Sequence, residues 1–150
     1  MPELERLHGL RVVADKAALD AARWHGADVT VLRFAPDDAL GLGADAVEVD
    51  DEHAIVEAEA GYVGVWLSIG DLERHLEWPL PSDRPVLAQG TVAGVPAKVW
   101  LPADGPDNRR DDSRNAGPDA GPDGSRGAGA NRALLLTAAA YAHELGERLR

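Results

Sequence analysis

Residues 103–132 read ADGPDNRRDDSRNAGPDAGPDGSRGAGANR, and no aliphatic side chain larger than Ala occurs among these 30 positions. Ordering a residue costs roughly 1–2 kcal/mol of conformational entropy, and a stretch of Gly, Pro, Asp, Asn and Arg has no apolar area to offset it. The segment is expected to be disordered. The chain then resumes as ALLLTAAAYAHELGERLR, which is foldable again. The stretch therefore reads as an insert within one domain, and closing even a long loop costs only the logarithm of its length.

The insert carries six Asp and five Arg, so −10 of the chain's formal charge of −11 lies outside it. A domain this acidic repels nucleic acid and anionic membrane, and neither is expected as a partner. The chain has no Cys, which excludes disulfides, thiolate metal sites and a Cys nucleophile. The first residues, MPELERLHGLRVVADKAALDAARWHG, are charged throughout and contain no apolar run. They do not read as a signal peptide or a membrane anchor, and a cytoplasmic protein is expected.

Periodicity gives the elements. DVTVLRFA (28–35) alternates and is rich in β-branched residues, a strand pattern, and Pro36-Asp37-Asp38 is a turn. ALGLG and AVEVD read as short extended pieces, and HAIVEAEAG (53–61) and YVGVWLS (62–68) as two strands. In the second, Tyr62, Gly64, Trp66 and Ser68 face one way and Val63, Val65 and Leu67 the other. SIGDLERHLEW (68–78) changes period and places Ile69, Leu72 and Leu76 on one helical stripe, with Ser68 or Asp71 to cap it and Pro79 to end it. VLAQGTVAGVPAKVWL is a hairpin about Ala93-Gly94, with Val95, Ala97, Val99 and Leu101 on one face and Lys98 and Trp100 on the other. ALLLTA is a strand, and AAAYAHELGERLR a helix with Tyr141, Ala142, Leu145 and Leu149 inward.

The expected fold class is α+β: a ferredoxin-like antiparallel sheet with helices on one face, plus a long disordered loop insert. Residues 1–28 are expected as a partly helical N-terminal segment, and 29–150 as a single α+β domain interrupted at 103–132.

Few residues offer chemistry. GLGADA (41–46) matches a dinucleotide fingerprint in letters, but VEVDDEH follows it and alternates like a strand, so a Gly-rich turn is expected. DDEH (50–53) with Glu57 and Glu59 is a carboxylate cluster without metal-loop spacing, and a polar turn is the better account. His75 and His143 each lie on an expected helix without a second His four residues on, which suits surface side chains. No G-x-S-x-G surrounds any Ser. The aromatic residues say more. Trp66 and Trp100 sit on strands, opposite the Val/Leu faces, where an aromatic is either covered by the protein itself or reserved for a partner. Trp66, Trp100, Tyr62 and Lys98 are the candidate partner-interface residues; no catalytic, cofactor-binding or metal-binding residue is assigned.

With these elements placed, the chain resembles the sarcosine oxidase gamma subunit family. The residues that carry the likeness are VTVLRFAPDDALGLG, HAIVEAEAGYVGVWLSIGDLERHLEWPLP, RPVLAQGTVAGVPAKVWL and ALLLTAAAYAHELGERL, together spanning 29–102 and 133–150. The resemblance implies a fold related to the folate-binding domain of the glycine-cleavage T-protein. It implies a small non-catalytic subunit of an enzyme that oxidatively demethylates sarcosine and passes the one-carbon unit to tetrahydrofolate. Such a subunit binds no cofactor itself; flavin, NAD and tetrahydrofolate are expected in partner subunits, and its partner is the larger flavin- and folate-binding oxidase subunit. The insert and the first 28 residues have no counterpart in the family pattern. A free-standing folate-binding, aminomethyltransferase-like protein is the alternative, for which Asp71, Glu57 and Glu59 are the ordered carboxylates available to face a pterin. A small regulatory or binding α+β module is the third reading.

Overall fold

The structure is a computed structural model and describes residues 3–103 and 131–150. The insert expected to be disordered lies, apart from its ends, outside the described residues.

The chain order is β1 (Glu5–Val13), α1 (Lys16–Asp20), β2 (Arg23–His25), β3 (Thr30–Ala35), β4 (Asp38–Leu42), β5 (Ala46–Glu48), β6 (Ile55–Ser68), α2 (Ile69–Glu73), β7 (Val86–Val92), β8 (Val95–Leu101), β9 (Arg132–Ala138), a 3-10 turn at Ala139–Tyr141, and α3 (Ala142–Arg148). Seven strands form one antiparallel sheet in the order β3-β4-β1-β6-β9-β8-β7, and β2 and β5 form a separate two-stranded ribbon. A mostly antiparallel sheet with three short helices is an α+β architecture. Seven strands in this order go beyond the four-stranded sheet of a ferredoxin-like fold.

The sheet curls until its two edges nearly meet. The Gln89 side chain on β7 donates to the Phe34 carbonyl on β3 at 3.3 Å. All three helices lie on the convex face. There, Leu72 of α2 and Leu145 and Leu149 at α3 pack on Val65, Leu67, Val99, Leu101 and Leu135. Leu19 of α1 packs with Val12 and Ala39, and Trp24 and Val47 of the ribbon close that end. The concave face is filled by Leu32, Leu40, Leu134 and Leu136, with Leu7, Phe34, Leu42, Tyr62, Leu87 and Trp100 against them.

Residues 5–13, expected within an N-terminal segment apart from the domain, form β1, which is bonded to β4 on one side and β6 on the other. The repeated charges of ELERLHGLRVV hid the strand, because only Leu7 and Val12 supply its core contacts. The helical part of the first 28 residues is the five-residue α1.

The two strands expected at 53–61 and 62–68 are one strand, β6. Its register against β1 shifts between Leu7↔Tyr62 and Gly9↔Glu59, so β6 carries an extra residue there, a β-bulge. Two contacts hold it: the Glu59 carboxylate accepts from the Gly61 amide at 2.9 Å, and the Arg6 guanidinium donates to the Ala60 carbonyl at 2.6 Å.

The helix expected over 68–78 is α2 followed by turns, with His75 and Leu76 amides donating to the carbonyls three residues back. Its apolar stripe is as expected: Leu72 is fully buried and Ile69 and Leu76 join the same cluster. Ser68 Oγ accepts from the Asp71 amide at 3.1 Å and caps its start. In the closing helix Leu145 and Leu149 are buried as expected, but Tyr141 is 39% exposed. Residues 139–141 wind as a 3-10 turn of three residues per turn, which rotates Tyr141 off the stripe that a 3.6-residue period assigns it.

The hairpin β7–β8 closes through Ala93 and Gly94, both at positive φ (51° and 79°), the two-residue turn whose twist matches the strands. Ala is strained there, and its position is held from outside: its amide donates to the His75 carbonyl at 2.8 Å and its carbonyl accepts from Arg148 at 2.8 Å. Replacing Ala93 by Asn, which tolerates this conformation, is expected to raise stability by about 0.5–1 kcal/mol in chemical denaturation. Removing residues 1–13 is expected to abolish cooperative unfolding, since it takes out the strand that joins β4 to β6; circular dichroism during heating reads this directly.

Candidate functional site

The concave face changes character along its length. At one end it is leucine; at the other it gathers Arg11, Phe34, Asp38, Glu59, Tyr62, Gln89 and Lys98 from β1, β3, β4, β6, β7 and β8. Strand period 2 puts them together. Arg11 pairs opposite Leu40, Lys98 opposite Leu136 and Gln89 opposite Lys98, and paired residues share a face.

Arg11 grips Asp38 with two hydrogen bonds of 2.7 Å, from Nε and Nη2, and approaches the Glu59 carboxylate at 3.5 Å. The fork-to-fork geometry is the strong form of this pair, and the Asp38 bond raises the guanidinium pKa further above its ordinary value. Arg11 Cζ and Lys98 Nζ each lie 4.9 Å from the centre of the Phe34 ring, within cation–π range. Phe34 in turn packs on Tyr62 with ring centres 5.5 Å apart. Lys98 Nζ donates to Gln89 Oε1 at 3.0 Å. Its pKa is lowered, first by loss of solvent and then by the charge of Arg11, with Asp38 partly offsetting these. A depression of about 290 Å³ opens beside Lys98, walled by Tyr62, Gln89, Pro96, Thr137 and Tyr141.

The four candidate interface residues, Tyr62, Trp66, Lys98 and Trp100, do project from one face, as the sequence pattern places them. They differ in what covers them. Trp100 and Tyr62 pack into the leucine cluster because the curled sheet covers its own second face, and Lys98 is half-buried at the rim. Trp66 alone of the four is exposed, at 40%. β1 pairs no further along β6 than Gly64, so among the described residues Trp66 stands where β6 has β9 on one side and no strand on the other.

The remaining candidates stay apart. Gly41–Ala46 joins β4 to β5 through a turn with Gly43 at φ 79°, and no helix follows. The Asp51 carboxylate accepts from the amides of Asp15 and His53, both at 2.9 Å, which holds it below the usual carboxylate range. Asp50–His53 is thus a turn that braces the start of α1. No group of three or more His, Asp or Glu among the described residues is arranged to hold a metal ion. His143 is exposed and His75 half-buried. Asp71 sits in the first turn of α2, apart from the other two, while Glu57 pairs opposite Arg11 and shares its strand face with Glu59, so two of the three carboxylates are neighbours and the third is not. No helix among the described residues is long and apolar enough to cross a membrane.

Sequence reasoning missed Arg11, Phe34, Asp38 and Gln89. Arg11 lay in a segment read as external, and Phe34 and Gln89 meet only because the sheet edges converge. Arg11 and Asp38 meet through the β1–β4 register, which sets Asp38 opposite Val13 and Arg11 two residues along on the same face, and local sequence pattern carries no signal for that pairing.

Compared with known protein families, characterised proteins and solved structures, the chain finds no match.

The Arg11–Asp38 pair is partly exposed, with side chains 30% and 21% accessible. A double-mutant cycle with Arg11→Met and Asp38→Leu is expected to give a coupling of about 1 kcal/mol that shrinks in high salt, as surface-linked pairs do. A coupling near zero in denaturant titrations would show that the fork contributes no net stability.

Proposed function

We propose that the chain is a non-catalytic, gamma-like small subunit of a cytoplasmic, sarcosine-oxidase-like, folate-linked amine-oxidising flavoenzyme complex, docked on the larger flavin- and folate-binding subunit. Flavin, NAD and tetrahydrofolate belong to the partner subunits in this reading. The single observation that carries it is Trp66, a large aromatic left 40% exposed where, among the described residues, β6 has a strand on one side only. An exposed tryptophan on a strand, its carbonyl met by the Arg132 side chain at 3.4 Å, has the composition of an interface anchor. The family likeness of the residue patterns in 29–102 and 133–150 supplies the identity of the partner. The ferredoxin-like element of the reading rests on β6-β9-β8-β7 with α2 and α3 on one face.

The free-standing folate-binding alternative has less behind it: Glu57 and Glu59 share one face of β6, but Glu59 is already engaged with the Gly61 amide and Arg11, and Asp71 lies apart on α2. Tetrahydrofolate calorimetry addresses it directly.

Trp66→Glu tests the subunit reading. The tagged chain, purified gently from its native cells, is expected to bring down a yellow flavoprotein with sarcosine-dependent oxidase activity. Trp66→Glu is expected to lose that complex while the isolated chain still unfolds cooperatively, at a cost of about 1–3 kcal/mol for the part of the indole covered beside Leu134. A colourless lone chain, or a complex untouched by the substitution, sinks the reading. Trp100→Glu is the wrong reagent, because Trp100 belongs to the concave core.

A further inference from the structure

We propose that the depression beside Lys98 is a binding site for a single carboxylate group carried on a small apolar body. This goes beyond the subunit reading and does not depend on it.

The argument starts from charge. The chain holds 26 Asp and Glu against 15 Lys and Arg. In so acidic a protein, cations find carboxylates easily. Of the two lysines, Lys16 is paired with Asp20 at 2.7 Å. Lys98 has no carboxylate within 4.0 Å among the described residues. It has instead a neutral amide oxygen, the face of Phe34 and the repulsion of Arg11, which the charge of Asp38 only partly offsets. A half-buried ammonium in this setting has lost water without gaining a carboxylate in direct contact. The adjoining space is open to a ligand and lined by groups that can donate hydrogen bonds: the Tyr62 and Tyr141 phenols and the Gln89 amide.

The same residues define the ligand. One ammonium balances one negative charge. Arg11 adds little, because Asp38 and Glu59 already occupy it. A dianion such as phosphate would bring a second charge toward those two carboxylates with nothing left to neutralise it. The volume of about 290 Å³ lies at the low end for ligand pockets and suits a group of a few heavy atoms. Tyr62, Tyr141 and Pro96 give it apolar walls. Thr137 is engaged elsewhere, donating to the Pro96 carbonyl at 2.7 Å, and stiffens the floor. The carboxylate can arrive on a free small acid or on an acidic side chain of a protein partner.

Two lysines make the test simple. The full chain is labelled with lysine carrying carbon-13 at Cε, and the two resonances, assigned with Lys16→Arg, are followed during titration. The probes are sodium acetate, sodium isobutyrate and a capped Gly-Glu-Gly peptide, each against sodium chloride at equal ionic strength. The Lys98 signal is expected to shift saturably with carboxylate in the millimolar range, its apparent pKa rising as the counter-charge arrives, while Lys16 stays still. Saturation by isobutyrate identifies a free acid as the source, and saturation by the peptide alone identifies a partner's side chain. If Lys98 follows the chloride curve with all three probes, or moves no more than Lys16, the site does not exist.

Discussion

One strand sets the geometry of the rest. β6 is bonded to β1 over its first part and to β9 over its last, so it joins the two halves of the sheet. The extra residue at 60–61 controls which side chains meet. With strict alternation from Glu59, the concave face would receive Val63, Val65 and Leu67, and the convex face Tyr62 and Trp66. The bulge shifts the phase by one, so Glu59 and Tyr62 share the concave face while the aliphatic set reaches α2 and α3. The added twist of a bulged strand also suits the curl that brings β7 toward β3.

Curling creates both the core and the candidate site. A flat sheet would leave Leu32, Leu40, Leu134 and Leu136 in water; the curled one removes them from it. The same movement draws Arg11 and Lys98 out of solvent. Arg11 is compensated by a two-bond grip on Asp38, whereas Lys98 bonds the neutral Gln89 amide oxygen and feels Asp38 only at a distance. Phe34 stands between the hydrocarbon and the charges. Its edge and face meet Tyr62 and the leucines on one flank and two cations on the other, which suits a ring that is apolar in bulk and negative on its faces.

The parts of this fold that local pattern governs were legible. The hairpin at Ala93-Gly94, the β9–α3 ending and the alternation of Lys98 and Trp100 against Val95–Leu101 follow from turn chemistry and period. Long-range pairing was not legible. Nothing in ELERLHGLRVV states that it will lie between β4 and β6, since its charged residues outnumber its buried ones. Gly61-Tyr62 reads as a break between strands because a bulge and a strand end look alike in sequence. The interface set was half legible: period 2 put Tyr62, Trp66, Lys98 and Trp100 on one face, but only the curl decides which of them that face encloses.

Trp66 and Trp100 make the point in one row. Leu87, Trp100, Leu134 and Trp66 lie side by side across β7, β8, β9 and β6, each opposite the next. All four point into the concave face, yet burial falls off at the β6 end. Trp100 has a strand on each side and the leucine cluster above it. Trp66 has Leu134 on one side and, among the described residues, no strand on the other, where the pairing of β1 stops at Gly64. The row is therefore an apolar series whose last member lacks a neighbour. The Arg132 side chain, two residues before Leu134 on β9, donates to the Trp66 carbonyl at 3.4 Å, so a long cation meets the backbone here while the indole stays in water.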